Sequence, residues 1–509
     1  MNLYEWQKEC LQVIKNKNAI ISAPTGAGKT KVAYIWMDPK GAKEGKHKII
    51  YTVPIKALAN EKADELRSIY GREMVGIETG DVKKNENAPI LVCTQEIYTL
   101  KYARKKQKIK LVIDEFHYIF SDPHRTRSYI DGIKHAKDSH QILIMSATLS
   151  KPDKIKQYLT NTTGKDFVLY QTDFRPTKLT FTKQVFSLDD IPPHSLIYVF
   201  NTYMIDRMAR HLSAKYPPLD LLKRRKIRLL AIDYRINPDK FPEVFHGIAR
   251  YHSKLTYTEK RFIERLVREG YIHTLLATSA LGVGVNLPFK WVLFGSLTVH
   301  IDGKDIPISK IDFVQLSGRA GRVGYFDEGY VGVLEHGFTQ EDTVDLYRKL
   351  LSKELEEPQI KLEIDVWSVV KGERTLEEEV EYVCRYSLPE RDRQEVLKEA
   401  QEIEKKLSSI SEKEREFLRE FYQPDISLDE NLRLAKFITH KVGDPIEIHL
   451  FALPVGRKEK EIDYLLLLRR IGRRLNGQKW EGREMQVKDM QEVENQIKAL
   501  DPLVLEVLT

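Results

Sequence analysis

The sequence predicts an α/β protein of two tandem parallel-sheet domains followed by a mostly helical C-terminal region. Three observations lead there. First, short apolar runs recur through the first two thirds of the chain, each closed by polar residues and followed by a helical pattern. Runs of that length bounded by turn residues suit strands buried on both faces, as in a parallel sheet covered by helices. Second, the runs form two sets: "NAIIS", "KIIYTV", "ILVCT", "KLVIDEF" and "QILIMSAT", then "SLIYVF", "RLLAI", "HTLLATS" and "WVLFGS". Between them "QTDFRPTKLTF" (171–181) carries a proline and few helix formers, which marks the join. Third, strand-like runs become scarce from about residue 346, where "LPERDRQEVLKEAQEIEKKLSSISEKEREFLREFY" alternates acid and base at helical spacing. The expected domains are residues 1–175, 176–345 and 346–509.

Composition sets limits. A chain of 509 residues is too long for one core, and 31% charged residues exceeds the usual ~25%. The net charge of +8 is compatible with a polyanionic partner but too diffuse to establish one. Cys10, Cys93 and Cys384 lie too far apart for a zinc or disulfide framework, as expected of reduced thiols in a cytosol. The first residues lack a leader pattern, and the nearest approach to a span, "DYLLLLRRIGRRL", is broken by arginines. A cytoplasmic protein with no membrane partner is expected.

The chemistry begins at "SAPTGAGKT" (22–30), between a strand and a helical pattern. Gly26 and Gly28 let backbone N–H groups turn onto phosphate oxygens at a helix N-terminus. Ala23, Pro24, Thr25 and Ala27 complete the loop, Lys29 reaches the β- and γ-phosphates, and Thr30 offers a Mg²⁺ ligand. Ala23 stands where the general pattern has glycine, so the first turn does not depend on one. In "KLVIDEFHYI" a strand delivers Asp114 and Glu115 together, a costly pair unless a cation offsets it. Asp114 would hold the metal and Glu115 would activate the attacking water, while His117 could link nucleotide to a neighbouring loop. Far downstream, "VQLSGRAGRVG" (314–324) puts Gln315, Arg319 and Arg322 on an expected helix start in the second domain. Arginine there suits charge developing on a transferring phosphoryl group, and hydrolysis then needs the two domains to close.

These motifs, with "SAT" (146–148), "VFNT" (199–202) and "ATSALGVGVNLP" (277–288), resemble the superfamily 2 DExH-box helicases over roughly residues 1–340. The resemblance implies RecA-like folds for both sheet domains, ATP and Mg²⁺ as cofactors, and an adenine-reading role for Gln7. It implies a motor, itself monomeric, that moves 3′→5′ along single-stranded RNA or DNA. Strand contacts would fall at Thr52, Pro54, Thr79, Gly80 and Thr94 in the first domain, and at Thr202, Thr278 and Asn286 in the second. Such contacts grip the backbone and carry no base information. "TVPIKALANEK", "TGDV" and "DEFHYIFSDPHRTR" resemble the Ski-type branch. "RYHSKLTYTEKRFIERL" (250–266) and "YVFNTYMIDRMA" instead resemble CRISPR interference helicases, which feed single-stranded DNA to a separate nuclease. A nuclease or a multi-subunit complex is accordingly a candidate partner.

Other stretches are less specific. Residues 349–383 suit a shortened winged helix, and "TVHIDGKDIPI" (298–308) suits a tight hairpin, the position of a strand-separating wedge in relatives. The basic stretches 101–110 and 221–230 suit either solvated faces or binding sites. "EIDYLLLLRRIGRRLNGQKWEGR" (461–483) pairs arginines along one helix side, suiting strand contact, partner docking or plain packing.

Overall fold

The computed structural model describes residues 3–441, apart from 121–122, 148, 279–280, 282–286, 302–303, 339–340 and 422–426. The predicted segment 461–483, Thr148 and Asn286 lie outside the described residues. The chain divides into two units, residues 1–360 and 361–509.

The first unit contains two sheets. The strands of the first are β1 (Asn18–Ser22), β2 (Lys48–Val53), β3 (Val75–Glu78), β4 (Lys83–Lys84), β5 (Ile90–Thr94), β6 (Ile109–Ile113), β7 (His140–Ser146) and β8 (Phe167–Gln171). Their order across the sheet is β4-β3-β5-β2-β6-β7-β1-β8. Every pairing is parallel except β3 with β4. The apolar runs form central strands for a simple reason. Ala19, Ile20 and Ile21 are each fully buried, and so are Ile49, Ile50 and Tyr51 on β2. Helices on both faces therefore remove both sides of each strand from water, stabilising by about 1.5–3 kcal/mol per large apolar side chain.

The second sheet follows from β9 (Lys178–Ser187), β10 (Ser195–Tyr198), β11 (Ile248–Tyr251), β12 (Thr274–Ala277), β13 (Trp291–Phe294) and, after a hairpin, β16 (Glu328–Glu335). Its order is β11-β12-β10-β13-β16-β9, all parallel. The hairpin is β14 (Thr298–Ile301) and β15 (Lys304–Pro307), paired antiparallel from Thr298–Pro307 to Ile301–Lys304. The helix Thr343–Ser352 buries Tyr347 and Leu350 in the core of this sheet, so its packing runs past residue 345. Tyr347 also donates its hydroxyl to the carbonyl of Val331 at 2.9 Å on β16.

One expected strand is a helix. "RLLAI" lies inside Leu221–Asp233, capped by the Asp220 carboxylate accepting from the Lys223 amide at 2.9 Å. Only Ile227 and Ala231, one turn apart, are buried there, while Leu221, Leu222, Leu229 and Ile232 are exposed. The apolar run thus wraps around a helix instead of filling a strand, which periodicity over five residues cannot distinguish.

In the second unit the described helices are Val366–Lys371, Leu376–Tyr386, Arg393–Ser408, Glu412–Phe421 and Leu428–Lys441. Val380 and Val383 are fully buried, as is Glu379, which pairs with Arg374 at 2.9 Å and accepts from the Asp365 amide at 2.9 Å. No strand occurs among the described residues of 349–383, so no wing hairpin accompanies its helices there.

Candidate functional site

β1 ends at Ser22, and the loop Ala23–Gly28 carries the chain into the helix Lys29–Trp36. Gly26 and Gly28 adopt φ of +84° and +95°, a region that penalises a side chain. A Cβ on Gly28 would also lie 2.7 Å from Gln7 Nε2, because Gln7 closes over the loop. Gln7 donates to the Gly28 carbonyl at 2.9 Å and accepts from the Tyr4 amide at 2.9 Å. One amide hydrogen and one oxygen lone pair are left over by these two bonds, on a side chain that is 1% exposed. Ala23 and Ala27 are fully buried, and Pro24 accepts from the Ala27 amide at 3.1 Å. The Lys29 ammonium donates to the carbonyls of Ala23 at 2.6 Å and Pro24 at 3.1 Å. Burial lowers the Lys29 pKa, opposed by the charges of Glu115 and Asp114. An anion beside this lysine removes that penalty.

Asp114 follows β6, its amide bonded to the Thr52 carbonyl at 3.0 Å. Its Oδ2 accepts from the Tyr51 hydroxyl at 2.6 Å, and its Oδ1 from the Glu115 amide at 3.0 Å. Burial first, and the Glu115 charge second, raise the Asp114 pKa. Lys62 opposes this from the helix Lys56–Tyr70, held over the rings of Tyr34 and Tyr51 at 5.6 and 5.4 Å. Glu115 adopts φ of +53°, a left-handed backbone that costs a non-glycine residue about 1–2 kcal/mol. His117 lies in the short turn Phe116–Phe120, its Nδ1 3.3 Å from Glu115 Oε2. Burial and then the Lys29 charge push His117 down to about 4, so its ring is neutral near pH 7.

The second sheet supplies the opposite wall. Gln315 lies near the end of the helix Lys310–Ser317, not at a helix start, and Arg319 and Arg322 follow in a turn. Glycines explain the difference. Gly321 has φ of +71°, and its added Cβ would lie 2.6 Å from the Gly329 amide nitrogen, so β16 and this turn touch backbone to backbone. Thr25, Gly26, Gly28, Lys29, Thr30, Asp114 and Glu115 share one cleft of about 830 Å³ with Arg319 and Arg322. Arg175, Lys62, Arg261 and Arg268 line it too, and sequence reading missed all four. Their one signal was position: Arg175 stands in the join, Arg261 lies within the 250–266 run and Arg268 just after it.

The residues expected to hold a strand are distributed differently. Thr52 is 1% exposed and donates its hydroxyl to the Val112 carbonyl at 3.3 Å, so that hydroxyl is spent within the sheet. The Pro54 carbonyl accepts from Arg125. Thr79 accepts from the Val82 amide at 3.2 Å, and Gly80 is open, its nearest neighbour the Lys56 side chain. Thr94 immediately precedes the helix Gln95–Lys101. In the second sheet Thr202 opens the helix Thr202–Lys215, beside Tyr203, which is 65% exposed. The Thr278 amide bonds to the Tyr251 carbonyl at 3.1 Å. Pro54, Thr79, Gly80 and Thr278 lie just past carboxyl ends of strands, where parallel sheets present ligand sites, Thr94 is the last residue of β5, and Thr202 lies four residues after β10.

A glycine-bearing loop, an acidic strand end and two arginines thus line one cleft between two parallel sheets. Helicase family models match parts of both halves of this unit. The DEAD/DEAH box helicase family matches residues 4–155, and the helicase conserved C-terminal domain matches residues 221–324. The chain is 28% identical over 368 residues to the ATP-dependent DNA helicase Hel308 of Thermoplasma volcanium, covering 65% of this chain and 52% of that protein. It is 27% identical over 401 residues to the exosome RNA helicase MTR4 of Homo sapiens, covering 64% of this chain and 38% of that one. The chain thus spans about half, or less, of these relatives' length. Among solved structures, the DUF1998 helicase MrfA bound to DNA and AMPPNP superposes with a TM-score of 0.53 at 18% identity, over 72% of this chain and 53% of that one. At that identity the likeness speaks for the fold.

No described helix is long and apolar enough to cross a membrane, and no described cluster of three His, Cys, Asp or Glu could hold a metal.

Proposed function

We propose that this chain is an ATP-dependent helicase or translocase that moves along a single nucleic-acid strand, powered by hydrolysis between its two sheets. The observation that carries it is the shared cleft: Lys29, Asp114 and Glu115 on one wall, Arg319 and Arg322 on the other. Lys29 and the amides of the Ala23–Gly28 loop bind the phosphates. Glu115 orients water for attack, and His117, neutral and beside Glu115, links the acidic strand end to its surroundings. Arg319 and Arg322 stabilise the charge that develops on the transferring phosphoryl group, with Gln315 beside them. Gln7 reads the base.

Thr30 and Asp114 present hard oxygen donors to this cleft, and the raised Asp114 pKa is of the kind a divalent cation relieves, so the residues fit Mg²⁺. Bound there, Mg²⁺ supplies charge neutralisation for the phosphates.

For the strand, Pro54, Thr79, Gly80, Thr94, Thr202, Thr278 and Asn286 are the proposed backbone contacts, while Thr52, its hydroxyl and carbonyl both bonded inside the sheet, supports them from beneath. We assign 3′→5′ movement and the Ski-type branch on the motifs quoted above. The DNA and RNA helicases among the relatives leave the type of strand open. A second reading, a helicase subunit of a CRISPR interference complex working with a separate nuclease, is favoured by the 198–209 and 250–266 runs. ATPase stimulation by single-stranded DNA against RNA of equal length separates them. The second reading requires stimulation by DNA, and equal or greater stimulation by RNA would remove it. Absence of stimulation by either strand would remove the motor reading itself.

A further inference from the structure

Residues 172–177 form a strap fastened at both ends. On the first-sheet side, the Thr172 amide donates to the Ser22 carbonyl at 3.1 Å, directly before the phosphate loop. On the other side, Arg175 Nη2 donates to the carbonyls of Gly318 and Ala320, each at 3.4 Å. Thr177 Oγ1 donates to the Gly321 carbonyl at 2.6 Å in a buried contact. These three carbonyls bracket Arg319 and directly precede Arg322. The same turn is closed from behind by the Gly321–Gly329 backbone contact and from the front by Thr25, whose Cβ would be 3.1 Å from a Cβ on Gly318.

Arg175 is an unusual choice for such a place. Its Nε is buried with no hydrogen-bond partner among the described residues, and burial lowers its pKa. It lines the nucleotide cleft, where its charge also disfavours a protonated Lys29. A cation placed here at such cost is explained if the planar fork does something a smaller group cannot. Both bonds leave from the single Nη2, and the Lys29 ammonium likewise reaches two carbonyls, so what the guanidinium adds is its rigid planar frame, which holds that nitrogen in place where a flexible alkyl ammonium would not.

We propose that Arg175 is a positioning residue for ATP hydrolysis: with Thr177 it fixes the Gly318–Gly321 turn to the strap, so that Arg319 and Arg322 follow every movement of the phosphate loop. This inference rests on the ATPase reading of the same cleft. It differs from a phosphate contact, because Arg175 acts through Arg319 and Arg322.

Steady-state kinetics and binding of a fluorescent ATP analogue, on the full chain, test it. Arg175→Ala should lower kcat about tenfold or more while analogue affinity changes less than about threefold, as for an interaction used mainly in the transition state. Arg175→Lys should recover only a minor part of the loss. Added to the double variant Arg319→Ala with Arg322→Ala, Arg175→Ala should slow turnover no further, since residues acting as one unit are not additive. Should Arg175→Ala not fold, Thr177→Val, which removes only the hydroxyl, should show the same kcat-selective loss on a smaller scale. A raised KM with unchanged kcat, or multiplicative loss in the triple variant, overturns the inference and leaves the ATPase reading standing. A wild-type chain that neither binds the analogue nor hydrolyses ATP overturns both.

Discussion

The hydroxyl of Tyr51 donates to Asp114 Oδ2 at 2.6 Å, tying the middle of β2 to the acidic end of β6. A hydrogen bond to a charged group contributes about 1.5–3 kcal/mol, and here it favours the carboxylate against burial and Glu115. Tyr51→Phe should therefore raise the Asp114 pKa further and move the acid limb of the ATPase pH profile upward. A profile superimposable on the wild type would show that Asp114 ionisation does not limit activity.

Burial of Asp114 also predicts a stability effect with a definite sign. A carboxyl whose pKa is raised on folding costs stability as pH rises from its ordinary value through the raised one. Asp114→Asn should thus melt higher than the wild type at pH 7 without ligand, and the gap should close below the ordinary carboxylate range. The same variant should lose nucleotide hydrolysis, a trade of function for stability that thermal melts and ATPase assays read separately.

Lys29→Ala and Glu115→Gln should fail in different ways. The first removes the ammonium that sits on the Ala23 and Pro24 carbonyls, and should lose both nucleotide affinity and turnover. The second keeps the left-handed turn and its volume but cannot activate water, so binding should persist while hydrolysis falls by about 10² or more. Near-normal turnover in Glu115→Gln would move the base elsewhere.

Arg319→Ala and Arg322→Ala should each lower kcat far more than analogue affinity, because their charge is needed in the closed transition state. A pure KM effect would place them outside the catalytic geometry.

The antiparallel pairing of Thr298–Ile301 with Lys304–Pro307 makes residues 300–306 separable from the parallel sheet. Replacing them with a short Gly-Ser turn should preserve strand-stimulated ATPase and impair duplex unwinding. Unchanged unwinding would leave the hairpin without a wedge role.

What the sequence disclosed follows the range of the interactions involved. The strand–loop–helix around Lys29, the acidic end of β6 and the hairpin are local patterns, and each is written in consecutive residues. Arg319 and Arg322 were legible as chemistry but not as geometry, since their turn is shaped by the backbone contact of Gly321 with Gly329 at the start of β16, which no local pattern announces. Tyr51, Lys62 and Arg175 were invisible for the same reason: their partners lie 63 residues away for Tyr51 and 143 for Arg175, brought close only by strand order. "RLLAI" failed because a short apolar run has no period of its own. The burial of Thr52 was not legible either, because it depends on that residue's place within β2, one residue short of the strand end.

Strand displacement on tailed duplexes tests the central claim most directly, that hydrolysis in this cleft drives movement along a strand. The wild type should separate a 3′-tailed duplex with ATP and not with a non-hydrolysable analogue, and Glu115→Gln should bind the substrate without opening it. Displacement that persists with the analogue, or in Glu115→Gln, would contradict the account.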